Sequence, residues 1–137
     1  MRHIGIDVGF GYTKATDGIR TIVFPSVISP AEKIGLRPFR EERTGRQIDL
    51  LDHLSVTLDG ETHFIGNLAL NQGRFVYATL DRIRTQTPEY KLLFLTALSL
   101  FAESSGEPFS VVTGLPVDDF EDRDILERTF QGKFSIS

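Results

Sequence analysis

The 137 residues hold 40% apolar and 25% charged side chains, the composition of one globular domain with its own core. A net charge of −4 excludes a general attraction for nucleic acid or anionic lipid, and the lack of cysteine excludes disulfides, thiolate metal sites and cysteine nucleophiles. The most apolar run, Leu92 to Leu100, is far too short to span a bilayer and no leader precedes the first strand-like residues, so a cytoplasmic location is expected.

Ile4, Ile6 and Val8 alternate with shorter or polar residues, which predicts a strand over 2–8 with one buried face. Asp7 stands near its end, Gly9-Phe10-Gly11 turns the chain, and Tyr12-Thr13-Lys14 opens a second strand. The pattern is D-x-G-x-G-x-x-K. Two glycines let backbone approach a bulky anion with no Cβ in the way. Successive N–H groups from Gly9 through Phe10 and Gly11 to Tyr12 can form a nest for phosphate. Lys14 can reach back over the turn as a point charge. Asp7 is placed to hold a hydrated Mg²⁺, which favours carboxylate and water ligands. A tight turn that presents its N–H groups inward also predicts φ > 0 at Gly9 or Gly11. The same residues read equally well as a plain hairpin, with Asp7 a turn residue and Lys14 a solvated strand lysine. Two other phosphate motifs are excluded. There is no G-x-x-x-x-G-K-[ST], and a strand follows the turn where a dinucleotide fingerprint needs a helix.

Thr16-Asp17-Gly18 is a second turn, and Ile19 to Phe24 a third strand closed by Pro25. From Pro25-Ser26-Val27 an irregular excursion is expected. Residues 29–52 are the most loop-like, with five basic against five acidic side chains and no clear partner signal. If anything binds there, Arg37, Arg40, Arg43 and Arg46, at every third residue, are the first candidates. Asp59-Gly60 between His53–Leu58 and Thr62–Ile65 is a strong hairpin signal. Gly66 ends that strand, and Asn67 can cap a short helix through Gln72, with Gly73 closing it. Phe75, Val76 and Tyr77 suggest a short strand.

Pro88, with Thr87 as cap, opens an apolar helix over 88–104 that Gly106 breaks. Tyr90, Leu93, Phe94, Ala97, Leu98 and Phe101 fall at helical spacing, and Leu92, Leu95 and Leu100 widen the stripe, so burial on more than one side follows. Pro108 to Val112 reads as a buried strand that Thr113-Gly114 leaves. A last helix over about 119–131, capped by Asp118 and Glu121, has Phe120, Ile125, Leu126 and Phe130 on its apolar face. The acidic residues at its start read as a well-capped terminus rather than a metal site. A right-handed crossover would lay the strand at 108–113 parallel to residues 2–8, with Asp7-Gly9 and Thr113-Gly114 at one carboxyl edge, where open α/β sheets bind ligands.

Three ordered segments carry a family resemblance: IGIDVGFGYTK at residues 4–14, FIGNLA at 64–69 and VVTGLPVDDF at 111–120, with FPSVIS at 24–29 beside them. The chain resembles the N-terminal half of actin-like ATPases, most closely the bacterial and archaeal ParM/StbA plasmid-segregation type. The resemblance implies an α/β, actin-like (ribonuclease H-like) mixed sheet with three leading antiparallel strands, covering helices and a small inserted subdomain at about 29–85. It implies a first lobe over 1–137, with ATP or GTP and Mg as cofactors of the full-length protein. Gly9, Phe10, Gly11, Tyr12 and Lys14 would lie on the phosphates, and Asp7 would hold Mg through water. Filament self-association and an adaptor–DNA complex are the implied partners, in plasmid or chromosome segregation. The second phosphate loop, the adenosine loop and the water-orienting Gln or Glu come later in that family. No catalytic residue is therefore expected here, and the end at Ser137 reads as a truncation. Sugar kinases and heat-shock chaperone ATPases carry similar loops and offer a second reading, which FIGNLA and its hairpin disfavour. A stand-alone, non-catalytic interaction domain is the third.

Overall fold

The structure, a computed structural model, describes residues 1–31, 50–71, 76–77, 87–114 and 123–132. The arginine-spaced segment at 37–46, Gln72, Gly73, Phe75, and the capping pair Asp118 and Glu121 lie outside the described residues, as do the side chains of Ile125 and Leu126. Strands β1 (Arg2–Val8), β2 (Tyr12–Thr16) and β3 (Thr21–Pro25) form an antiparallel meander. Strand β8 (Phe109–Thr113) joins β1 in parallel, in the order β3-β2-β1-β8. Between them run β4 (Val27–Pro30), a 3₁₀ turn at Leu50–Asp52, β5 (Leu54–Leu58), β6 (Glu61–Ile65), helix α1 (Asn67–Asn71) and β7 (Val76–Tyr77). Their strands make a second sheet, β5-β6-β4-β7, entirely antiparallel. Helices α2 (Pro88–Ser99) and α3 (Arg123–Phe130) flank β8 in sequence.

Period-2 alternation in β1 to β3 puts Ile4, Ile6, Val8, Ala15, Ile22 and Phe24 on one face, and α2 packs there. Tyr90 and every residue from Leu92 to Ala97 are buried, so α2 is covered on more than one side as its composition implies. Leu54, Val56, Ile28 and Ile65 of the second sheet join the same core. Val27, Phe64, Leu68 and Ala69 form a separate small cluster around α1. Thr87 caps α2 as expected, its hydroxyl accepting from the Tyr90 N–H at 3.1 Å. Phe130 anchors α3, its ring stacked 4.0 Å from that of Phe94.

Four expectations are corrected. The chain after Pro25 is no irregular excursion but β4, because Val27, Ile28 and Ser29 are buried and Ile28 pairs with Ile65. Helix α2 stops at Ser99 rather than running to 104. Arg20 donates to the Leu100 carbonyl and Arg2 to that of Phe101, so side chains take the carbonyls that further helical turns would have used. Strand β3 starts two residues late, since the Asp17 carboxylate accepts the N–H groups of Ile19 and Arg20 in a turn that leaves Ile19 exposed. Strand β8 is only half-buried, with Val112 70% exposed, because Val112 pairs with Gly5 on the sheet face of the exposed Asp7 and Lys14, opposite the buried Ile4 and Ile6.

Asn67 is the first helical residue rather than the cap. Its amide donates to Asp52 at 2.8 Å and ties α1 to the 3₁₀ turn. At the amino end of β1, Arg2 lies 3.1 Å from Asp17 and 3.3 Å from Glu107. Hydrogen bonds from the backbone of Arg20 and Ile19 hold the Asp17 carboxyl below its usual range, with Arg2 adding to the effect. The N–H of Glu103, then Arg2, does the same for Glu107.

Candidate functional site

The alternation that buries Ile4, Ile6 and Val8 sends Asp7 to the opposite face of the sheet. Asp7 and Lys14 are direct cross-strand partners, both exposed, and Tyr12 shares their face. The parallel register sets Ile6 against Thr113, so Asp7-Gly9 and Thr113-Gly114 leave the sheet at one carboxyl edge, as the crossover rule requires.

The turn between β1 and β2 departs from expectation. Neither Gly9 nor Gly11 has positive φ; among the described glycines that conformation falls to Gly18, Gly60, Gly66, Gly106 and Gly132. The physical reason is a brace from outside the hairpin. Ser26 is fully buried, its N–H donates to the Gly11 carbonyl and its hydroxyl to the Gly9 carbonyl, each at 2.9 Å. The buried Thr13 hydroxyl lies 3.0 Å from that of Ser26 and, with the Ser26 proton already committed to Gly9, is the donor. The Gly9 N–H donates to the Tyr12 carbonyl at 2.9 Å. Glycine is needed at position 9 for close approach, because a Cβ there would sit 2.8 Å from the Tyr12 oxygen. At Gly11 a Cβ would meet nothing within 4 Å among the described residues, so no contact with them asks for glycine there.

A peptide unit points its C=O and N–H in opposite directions. With the Gly9 and Gly11 carbonyls turned onto Ser26, the N–H groups of Phe10 and Tyr12 face away from it. One side of the turn is thus tied to the interior, while Asp7 and Lys14 stand exposed on the opposite face of the sheet. Among the described residues no three His, Cys, Asp or Glu side chains converge on a metal site. A single exposed carboxylate, Asp7, suits a cation held largely by water and phosphate oxygens, as Mg²⁺ commonly is. A hollow of about 680 Å³ runs along β8 between Phe94, Val111 and Phe130, and none of the residues from Asp7 to Lys14 lines it.

FPSVIS meets this turn through Ser26, and FIGNLA meets FPSVIS. Gly66, with φ +66°, donates its N–H to the Val27 carbonyl at 2.8 Å, and a Cβ on it would press within 3.3 Å of the Pro25 ring. Sequence reasoning missed Ser26 and Thr13. The signal available was a hydroxyl residue set among apolar strand residues on either side of the turn, which says nothing about where its partners lie.

A family model for the actin-like proteins N terminal domain matches residues 5–137. The chain belongs to the actin-like proteins. Among solved structures, ParM in a 15-stranded filament from Clostridium botulinum is similar at TM-score 0.78 and 24% identity, over 98% of this chain and 41% of that one. Bacillus thuringiensis ParM in apo form gives 0.75 at 20% identity, over 100% and 41%. The same protein with AMPPNP gives 0.64 at 17%, over 100% and 40%. The chain spans about two fifths of the length of these structures. No curated protein matches it. The mixed sheet with three leading antiparallel strands is thus the actin-like fold, and this actin-like domain carries its D-x-G-x-G-x-x-K turn at the carboxyl edge of that sheet. Among the described residues no helix is long and apolar enough to cross a membrane.

Proposed function

We propose that this domain is the nucleotide-facing first lobe of a filament-forming ATPase of the cytoplasm that acts in plasmid or chromosome segregation. The observation that carries it is the braced turn. Two glycine carbonyls are drawn inward by Ser26 while Asp7 and Lys14 stand side by side on the outer face. Peptide N–H ends near Phe10, Gly11 and Tyr12 would receive the β- and γ-phosphates in the open space over Gly11. Lys14 would neutralise charge as the γ-phosphoryl leaves, and Asp7 would orient waters around Mg²⁺. The second sheet, with the segment around 29–85, would be the smaller subdomain that meets the next protomer. An adaptor–DNA complex would be the cargo link. The filament and the AMPPNP complex of the ParM relatives support the self-association and nucleotide parts of this reading.

Calorimetry on the full-length protein tests it. One charge-assisted contact contributes about 1.5–3 kcal/mol, so Lys14→Ala is expected to weaken Mg-ATP binding by at least about tenfold. Unchanged affinity would make the turn a plain hairpin.

A further inference from the structure

Ser26 is the only residue between β3, which ends at Pro25 in the first sheet, and β4, which begins at Val27 in the second. It is fully buried and grips both glycine carbonyls of the β1–β2 turn, one through its backbone and one through its hydroxyl. On its far side Val27 accepts the Gly66 N–H, Gly66 abuts Pro25, and α1 follows with Asn67 held by Asp52. Ser26 therefore joins the turn directly to the start of the second sheet, through its backbone and its hydroxyl.

We propose that Ser26 is a positioning residue that transmits occupancy of the phosphate turn to the second sheet. This rests on the reading of that turn as a phosphate site. The Gly9 carbonyl and the Phe10 N–H belong to one peptide unit, and so do the Gly11 carbonyl and the Tyr12 N–H. An anion accepting at the N–H end polarises the unit and makes its carbonyl a stronger acceptor, because hydrogen bonds in series strengthen one another. Both carbonyls end on Ser26. A bound phosphate thus tightens the hold on Ser26 and, through Pro25 and Val27, narrows the stance of the second sheet. An empty turn loosens it. The differential affinity that such coupling requires resides in these two hydrogen bonds.

The test uses the full-length protein with Mg-ATP as probe and hydrogen exchange as the structural readout. In the wild type, Mg-ATP is expected to raise amide protection both in the turn and at Val27–Ser29 and Gly66. Ser26→Ala removes the hydroxyl bond to Gly9 and leaves the backbone bond to Gly11, so it should weaken Mg-ATP binding about tenfold and should keep ligand protection in the turn while reducing it at Val27–Ser29 and Gly66. Thr13→Val, which removes the hydroxyl behind Ser26 but not its grip on the glycines, should retain protection at both places. Should Ser26→Ala fail to fold, Ser26→Cys keeps the volume with a weak donor and carries the same measurement. Protection that spreads to the second sheet undiminished in the Ser26 variant overturns the proposal. If Lys14→Ala binds Mg-ATP as wild type does, the phosphate reading of the turn has failed. If Lys14→Ala weakens binding and Ser26→Ala changes neither affinity nor protection, Ser26 alone has been misassigned.

Discussion

Gly9 and Gly11 occupy one turn and are glycines for different reasons. At position 9 the constraint is internal, a Cβ 2.8 Å from a backbone oxygen that cannot swing aside. Gly9→Ala is expected to destabilise the folded chain by about 1–3 kcal/mol, the cost of forcing an extra carbon into packed structure. Gly11→Ala meets open space and should leave stability within about 0.5 kcal/mol of wild type, while on the proposed phosphate reading of the turn it should weaken nucleotide binding by the full-length protein. Chemical denaturation of the pair checks the first half and nucleotide titration the second. Equal loss of stability in both variants would show that the open space over Gly11 is not real.

Elements in this domain are stitched by few contacts of high value. Helix α3 has a single described aromatic anchor, Phe130, whose ring stacks on Phe94 and lies 6.2 Å from that of Tyr90. Since Phe130 is half-buried, Phe130→Ala is expected to cost about 3 kcal/mol, the low end for a core phenylalanine. Phe130→Leu should recover much of it. Urea unfolding followed by circular dichroism reads both, and an unchanged midpoint for Phe130→Ala would mean that α3 docks by other residues. Helix α2 illustrates the converse. Its start follows from Thr87 and Pro88, but its end depends on Arg2 and Arg20, which reach the carbonyls of Phe101 and Leu100 just beyond it from β1 and from the turn before β3.

At the scale of the molecule, the ion-pair cluster at the amino end of β1 gives stability a pH dependence of known sign. Asp17 and Glu107 titrate below their ordinary values of 3.8 and 4.5 when folded. Above about pH 5 both carboxyls are ionised in the folded and unfolded chain alike, and their stabilisation is fully present. As pH falls through those ordinary values the unfolded chain binds protons first, and the stabilisation is lost until the folded carboxyls protonate too. Thermal melting between pH 6 and 2.5 should show this loss, and Arg2→Met should make the decline shallower. The same scale sets what the domain can bind alone. One lobe offers two or three charge-assisted contacts of about 1.5–3 kcal/mol each, against at least about 4 kcal/mol for association and ordering. These 137 residues, which span about two fifths of the length of their ParM relatives, are expected to bind Mg-ATP with Kd about millimolar or weaker and to show no turnover, because one lobe by itself does not position the groups of phosphoryl transfer. Micromolar binding by calorimetry would mean that the site is complete in this chain.

Features governed by neighbours along the chain are legible in the amino-acid sequence alone. The β1 alternation, the Thr87-Pro88 helix start and the Asp59-Gly60 turn are of this kind. The turn forms with φ of 53° and 81° at the two residues that tolerate such values. The parallel pairing of β1 with β8 is legible too, since the handedness of the crossover leaves little choice. The candidate site is legible as a motif, in Asp7, the glycines and Lys14, but the bonds that shape its turn are not. Its shape is set by Ser26 and Thr13, which carry no pattern of their own. The sheet to which Val27–Pro30 belongs, the early end of α2 and the absence of positive φ at Gly9 are all decided by partners 13 to 99 residues away. Local propensity fixes what a segment prefers. Only tertiary structure decides which distant donor reaches a buried carbonyl first, because an unpaired buried polar group costs more than any local preference.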